Sequence, residues 1–185
     1  MSAPAFEDQP ETARGRFLFE TLLTVHAAIR RDLAAAELLA EAVADGLPAA
    51  VVHEELEALK SNGRLWRFQV SCLRYCSFVR MHHHAEDMDF FDELEETNPA
   101  IGPVVARLRA EHHAVSGYLD AVEAAAKALS KDESHDARRA VVDALEVLEG
   151  NLLAHLEYEE LNIASTARRL RDLQSSVTTK SEERR

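Results

Sequence analysis

The chain has 185 residues and a mass of 20.6 kDa, a length that predicts one domain. Its 33 acidic and 21 basic residues give a formal net charge of −12, which argues against binding to DNA or to an anionic membrane surface. Only six glycines and five prolines argue against a turn-rich β protein. Hydrophobic residues make up 46% of the chain, enough for a globular core, and nine histidines stand out from this ordinary composition.

Signals for membrane insertion or export are absent from the sequence. No apolar run approaches the roughly 18–20 residues of a membrane helix, and the first 15 residues have neither a basic start nor an apolar segment. Cys72 and Cys76 are four residues apart in a predicted helix, where a disulfide fits poorly. We interpret both as small buried side chains in a reducing compartment and expect a cytoplasmic protein.

The spacing of apolar residues predicts helix nearly throughout the chain. Turn and capping residues separate the helices, as at Asp45–Pro48, Asn62-Gly63 and Asn98-Pro99. The four long predicted helices cover residues 16–44, 64–96, 98–129 and 135–173, and a short one covers 48–61. The fold class is therefore all-α: an up-down-up-down antiparallel four-helix bundle, with one short extra helix between the first and second long helices. Residues 14–173 form this bundle, 1–13 a flexible arm and 174–185 a disordered tail.

Ionisable residues interrupt the apolar stripes that should face the bundle core. His26 lies on the first-helix stripe and His112 on the third-helix stripe. His155 and Glu159 continue the stripe of the fourth helix and are one turn apart. These three stripes read Leu22, His26, Ile29, Leu33 and Ala36; Leu108, His112, Val115, Leu119 and Val122; and Leu145, Leu148, Leu152, His155 and Glu159. Burying such groups costs free energy unless they are paired or bound to a metal.

The second long helix carries the sequence FVRMHHHAEDMDFFDEL, whose spacing allows two inner faces. Steps of 3.6 residues put Cys72, Tyr75, Val79, His82, Glu86 and Phe90 on the inner face. This register pairs His82 with Glu86, again one turn apart. A slightly rotated helix presents His83 with Asp87 instead.

Four inward histidines and two inward glutamates are too many ligands for one tetrahedral zinc. They suit iron, manganese or zinc in a dinuclear site with two bridging carboxylates, which helix bundles hold with side chains from facing helices. The predicted ligands are His26, His82, Glu86, His112, His155 and Glu159. We expect the remaining histidines to lie at the surface or to support the ligands; these are His53, His83, His84, His113 and His135.

These motifs resemble those of the hemerythrin or HHE cation-binding family over roughly residues 17–171. The resemblance rests on VHAAIRRDL around His26, HHHAEDMDFF around His82, AEHHAV around His112 and HLEYEELNIA around His155. It implies a non-haem di-iron centre, oxo- or hydroxo-bridged, with the four histidines as terminal ligands and Glu86 and Glu159 as bridges. Open positions would take dioxygen, nitric oxide, peroxide or water.

Two departures separate this chain from the family's oxygen carriers. The carriers have a further histidine one turn after the third-helix histidine, where this chain has Ser116. They also place the last carboxylate five residues after its histidine, a position that Glu160 occupies here, whereas Glu159 fits the inner stripe better. The resemblance therefore favours the versions linked to iron sensing, nitric oxide response or iron-centre repair over simple oxygen transport.

Three functions follow as hypotheses. The first is a protein that binds or senses a small diatomic ligand, oxygen or nitric oxide. The second is a di-iron oxidoreductase acting on peroxide or nitric oxide, or an iron-storage or repair protein. For the oxidoreductase, Tyr75 is either a redox-active neighbour or, as its position favours, an interior aromatic. The third is an interaction module whose metal only stabilises the fold. With no second domain in this sequence, a sensor would signal through a protein partner or a homodimer.

Overall fold

The computed structural model describes residues 6–44, 64–132 and 134–171, and within these residues it is helical without strands. Helix α1 spans Ala13–Ala44, α2 Arg64–Ala85, α3 Phe91–Thr97, α4 Gly102–Leu129 and α5 His135–Ala167. A π-helical turn at Glu86–Phe90 connects α2 directly to α3, and short 3₁₀ turns lie at Phe6–Asp8 and Pro99–Ile101. The prediction of an all-helical protein is confirmed.

Capping residues define two of the helix starts. The Asn98 side chain accepts a hydrogen bond from the Ala100 backbone N–H, and Pro99 occupies the first position of the turn that leads into α4. Ser134 accepts in the same way from Ala137 at the start of α5. Both caps satisfy backbone N–H groups that have no partner inside the helix.

The last long helix ends earlier than the sequence predicts, at Ala167 rather than at residue 173. Here the chain turns, and the Leu170 side chain becomes fully buried. Thr12 Oγ1 donates to the Leu170 carbonyl at 2.5 Å, just before α1 begins at Ala13. Leu170 keeps the spacing of the buried stripe of α5, three residues after Ala167, so its side chain stays in the core although the helix has ended.

Neighbouring helices enclose two separate apolar clusters. Helix α1 packs on α2 and α5, and α4 packs on the same two helices. The first cluster is centred on Ile29, Leu119 and Leu148, and the second on Phe91, Leu108 and Ile163. The buried polar residues His26, Glu86, His112, His155 and Glu159 belong to neither cluster.

The π turn changes which aromatic residue enters the core. The sequence predicted Phe90 on the inner face, four residues after Glu86, but Phe90 is only half-buried and Phe91 is fully buried. A π turn closes i→i+5 hydrogen bonds and so takes up one residue more than an α turn. Phe90 packs against the second cluster without being fully buried, and Phe91 takes the innermost position, because regular 3.6-residue spacing does not hold through this turn.

Some sequence predictions fall on residues that the structure does not describe. They are the short helix at 48–61, residue 53 and the tail at 174–185. Among the helices of the described ranges, none is both long enough and apolar enough to span a membrane.

Candidate metal centre

All six residues predicted as ligands converge between the two apolar clusters. The side chains of His26 and Glu159 are fully buried, and that of His82, the most open of the six, is only 8% exposed. They come from α1, α2, the π turn, α4 and α5. Four separate stretches of chain therefore bring imidazole and carboxylate groups to one place.

Four of these residues form one group on the α1–α2 side. His26, His82, Glu86 and Glu159 each offer a donor atom, and the four atoms lie within 4.8 Å of one another. The Nε2 atoms of His26 and His82 are 3.0 Å apart. Two ligand atoms at about 2.1 Å from one ion are separated by roughly 3 Å, so this spacing fits a shared cation.

Three histidines form a second group on the α4–α5 side. His83, His112 and His155 are all buried, and one ring nitrogen of each lies within 4.8 Å of the others. The His83 ring stacks on the His112 ring with centroids 4.0 Å apart. His155 meets both rings edge-on, at 5.2 Å from His83 and 4.8 Å from His112.

The two glutamates lie between the groups. Glu86 Oε1 is 3.4 Å from His82 Nε2, while its Oε2 is 3.6 Å from His112 Nε2. Glu159 Oε2 is 3.5 Å from His26 Nε2 and 3.8 Å from His155 Nε2. Each carboxylate therefore faces one histidine of each group.

Unsatisfied buried atoms test whether these residues suit a cation. Both oxygens of Glu86 and Glu159, and Nε2 of His83, His112 and His155, are buried without a hydrogen-bond partner in the described structure. Leaving one such atom unpaired costs about 1–3 kcal/mol, and more for a charged group. Seven of them around one point fit a cationic centre, because metal ions would satisfy them together.

Burial keeps these histidines neutral. It lowers the pKa of His26 to about 4 and the pKa values of His82 and His112 to about 3. Burial also lowers the pKa values of His83 and His155. Neutral imidazole has a free lone pair at neutral pH and is the form that binds a metal.

The carboxylates respond to the same burial in the opposite direction. Burial and then the Glu160 charge raise the pKa of Glu159 to about 8. Burial, with the neighbouring Glu159, raises the pKa of Glu86 well above its usual value. Two buried carboxylates this close favour uptake of a proton when no cation is bound. A cation bound between Glu86 and Glu159 would neutralise their charge instead.

The structure resolves the two alternatives that the sequence left open. On the second long helix both His82 and His83 point inward, with Glu86 as the inner carboxylate, so the paired registers are not exclusive. On the last helix Glu159 faces the site, while Glu160 turns outward and its Oε1 lies 2.8 Å from His26 Nδ1.

The sequence predicted that His83 lies at the surface or supports the ligands, and the surface position is wrong. His83 is only 5% exposed. Cys72, Cys76, Val79, His83 and Glu86 follow steps of four, three, four and three residues and are all buried. This second stripe is present in the sequence. Counting turns of 3.6 residues from Glu86 towards the N-terminus, however, selects the stripe that contains His82 and not the one that contains His83.

The remaining histidines, the two cysteines and Tyr75 lie in different environments. His84, His113 and His135 are exposed, as expected. Cys72 and Cys76 are both free and buried, as the spacing predicted. Tyr75 is a buried core residue.

The helices and the buried imidazole and carboxylate groups of this chain are those of a cation-binding helical bundle. The chain matches the model of the hemerythrin HHE cation-binding domain over residues 18–167, and it belongs to that family. No curated protein and no solved structure gives a significant match to this chain. The family's cation-binding character and the two groups of ligand atoms agree.

Proposed function

We propose that this chain is a hemerythrin-like non-haem di-iron protein that binds or senses a small diatomic ligand, oxygen or nitric oxide. The observation that carries the proposal is the division of the inward side chains. Five histidines form a group of three and a group of two, with two glutamates facing both groups. Imidazole with carboxylate is a donor set that suits iron, and helical bundles hold di-iron sites in this way.

The roles of the residues follow from their positions. His83, His112 and His155 would hold one iron, and His26 and His82 the other. Glu86 and Glu159 would bridge the two. His83 would be a fifth histidine beside the four that the sequence resemblance implied, in a chain that has Ser116 where the oxygen carriers have a further histidine. The group with two histidines has fewer protein ligands, and this is where we place an external ligand.

The surroundings favour a small ligand. The site lies among the buried residues of the bundle, with apolar clusters containing Leu119 and Phe91. The side chain of His82 is 8% exposed, the most of the six side chains predicted as ligands, so these groups are nearly closed off from solvent. When bound, a pair of irons supplies open coordination positions and one-electron chemistry. The chain's residues orient that pair and exclude water from it.

The antiparallel bundle is also part of the proposal. The beginning of α1 lies against the end of α5 and against Glu93 in the first turn of α3, the later part of the second long predicted helix. Thr12 hydrogen-bonds to Leu170, and Arg14 Nη2 donates to Glu93 Oε2 at 2.9 Å. A Cβ at Gly15 would collide with the backbone of Arg168, so these helix ends are in close contact. Both contacts support α1 running opposite to its two neighbours.

The test begins with metal content and then adds the ligand. We expect about two irons per purified chain, and new absorption bands when the reduced protein meets nitric oxide. His112→Ala should lose much of the iron, whereas the matched variant His113→Ala, at an exposed neighbour, should keep it.

One zinc per chain, or no bound metal, would refute the di-iron centre. A protein that holds two irons but binds neither oxygen nor nitric oxide would refute the proposed diatomic ligand and leave the proposed di-iron centre standing. Rapid consumption of peroxide or nitric oxide would favour the oxidoreductase instead, and the same variants would then report on turnover.

A further inference from the structure

The second acidic residue of each His-xxx-Glu-acid motif has a separate role in the structure. In His82-xxx-Glu86-Asp87 and His155-xxx-Glu159-Glu160, the first acid points into the site. The second is partly exposed and reaches a histidine that belongs to a different helix. Neither second acid lies in a ligand group, so its presence needs another explanation.

Glu160 of α5 connects to α1. Its Oε1 lies 2.8 Å from His26 Nδ1 and accepts a hydrogen bond from Arg30 Nη1 at 2.7 Å. Arg30 is four residues after His26 and therefore lies one turn away on the same helix. The ring nitrogen that faces the site is the other one, Nε2, which lies 3.5 Å from Glu159.

Asp87 of the π turn connects to α4 in the same manner. Its Oδ1 lies 3.0 Å from His112 Nδ1. Arg109 Nη1 donates to the Asp87 carbonyl at 2.7 Å, and Nη2 donates to Asp92 Oδ1 at 2.6 Å. A π turn loosens the backbone hydrogen-bond pattern, and the arginine here binds one of its carbonyls.

Glu111 of α4 completes the pattern by connecting to α5. Its Oε2 lies 3.0 Å from His155 Nδ1, and Arg107 Nε donates to its Oε1 at 2.6 Å. The Arg107 guanidinium lies 3.6 Å above the Tyr158 ring, which fixes the arginine in turn. Three histidines thus share one arrangement, in which a carboxylate binds Nδ1 and an arginine binds the residue carrying that carboxylate.

A carboxylate can only accept a hydrogen bond, so each neutral histidine must carry its proton on Nδ1. The lone pair is then on Nε2, the nitrogen that faces Glu86 or Glu159. The same hydrogen bond restricts ring rotation and makes the imidazole a stronger donor, as carboxylates behind metal-bound histidines do. Arg30 and Arg107 donate directly to the carboxylates of Glu160 and Glu111, whereas Arg109 donates to the Asp87 carbonyl and lies 3.7 Å from its Oδ1. Each arginine therefore restricts the residue that carries the carboxylate.

We propose that Asp87, Glu111 and Glu160, each anchored by an arginine, are positioning residues that preset the tautomer of His112, His155 and His26 before any metal binds. The purpose of this arrangement rests on the proposed metal centre, but the tautomer is a property of the metal-free protein. Because the carboxylates join α1 to α5, α4 to the π turn and α5 to α4, they also fix the histidines of different helices relative to one another.

The test uses the metal-free full chain and nitrogen-15 NMR, which distinguishes the two neutral tautomers of histidine. At about pH 8 we expect the Nδ1–H form for His26, His112 and His155. Glu111→Leu removes the acceptor and should change the tautomer population of His155 alone. Glu111→Gln keeps an acceptor oxygen and should keep the tautomer. The control Glu157→Leu, at an exposed site on α5, should change none of them.

A second measurement follows metal binding. Because Glu111→Gln preserves the tautomer but not the charge, it should weaken metal binding roughly 10-fold, and Glu111→Leu should weaken it at least as much. An unchanged His155 tautomer in Glu111→Leu, or equal weakening in Glu157→Leu, would overturn the proposal. Failure of the di-iron proposal would appear separately, as the wrong metal content in a protein whose tautomers are as described.

Discussion

His83 and His84 are neighbours in the chain with opposite surroundings. His83 is buried, stacks on His112 and has an unpartnered Nε2 in the described structure, whereas His84 is exposed. One residue of offset in a helix rotates a side chain by about 100°, which is enough to separate a ligand position from the surface. Identical residues can therefore be assigned different roles only when the helix orientation is known.

This contrast gives a prediction at the residue scale. His83→Ala should lose about half of the bound metal, because it removes one of the three histidines of the second group while leaving the first group intact. The measurement is metal per chain by elemental analysis after gel filtration. His84→Ala is the matched control and should retain the full content. Full metal content in His83→Ala would show that the second group does not need this residue.

At the scale of secondary structure, the π turn sets which side chains of the second long helix face inward. It takes up one extra residue between Glu86 and Phe91, so that the site residues before it and the core residues Phe91 and Leu94 after it both face inward. A π turn is rare and occurs mostly as a single insertion, frequently at functional sites. Here it brings the Asp87 carboxylate to His112.

Deleting one exposed methionine at a time tests whether the π turn is a one-residue insertion into a regular helix. Deleting Met88 from the π turn should leave an ordinary α turn with Phe91 four residues after Glu86, still on the inner face, so the protein should fold. Deleting Met81 from the regular helix α2 should rotate His82 and everything after it by about 100° relative to Cys76 and Val79. Both methionines are exposed, at 57% and 63%, so neither deletion removes a core side chain.

The measurement is the thermal unfolding transition by circular dichroism. We expect a cooperative transition for the Met88 deletion and a non-cooperative or much lower one for the Met81 deletion, because the latter turns buried apolar residues outward. Equal damage from the two deletions would show that the π turn is required for folding rather than being an insertion into a regular helix.

At the scale of the whole molecule, the surplus of acidic residues creates like-charge contacts between helices. Burial, and then the neighbouring Glu149, Glu41 and Glu146, raise the pKa of Glu37 to about 7. Its Oε1 is buried with no hydrogen-bond partner among the described residues. These glutamates lie on α1 and α5, so the contact between two long helices carries a charge penalty at neutral pH.

The sign of the pH dependence follows from this shift. Folding raises the Glu37 pKa from 4.5 to about 7, so the folded protein binds the proton more tightly than the unfolded chain. The contribution of Glu37 to stability is therefore complete below about pH 4.5 and is lost as the pH rises towards 7. Glu37→Gln should be more stable than the parent at about pH 8, and this advantage should shrink steadily as the pH falls to about 5.

Urea unfolding midpoints at these pH values measure the difference between parent and variant. Glu157→Gln, at an exposed position on α5, removes the same charge without the buried contact and should give nearly equal midpoints at every pH. An advantage of Glu37→Gln that does not depend on pH would contradict the assigned titration.

The sequence by itself determined the helical class and predicted six side chains that the structure buries close together. The stripes through His26, His112 and His155 follow regular helical spacing, and the cost of burying a charged group marks each interruption as meaningful. Local periodicity is sufficient in these helices because they remain regular through the site. It also placed Cys72 and Cys76 in the core and the last carboxylate at Glu159.

Only the tertiary structure decided the remaining features. It buried His83, placed Phe91 deeper in the core than Phe90 and gave Glu160 a partner on another helix. A π turn and the rotation of one helix against its neighbours depend on packing between distant segments. The periodicity of the second long helix therefore allowed stripes through both His82 and His83 and could not choose between them. The sequence could therefore name which residue types meet, whereas the three-dimensional packing decided which of two adjacent residues faces the site and which supports it.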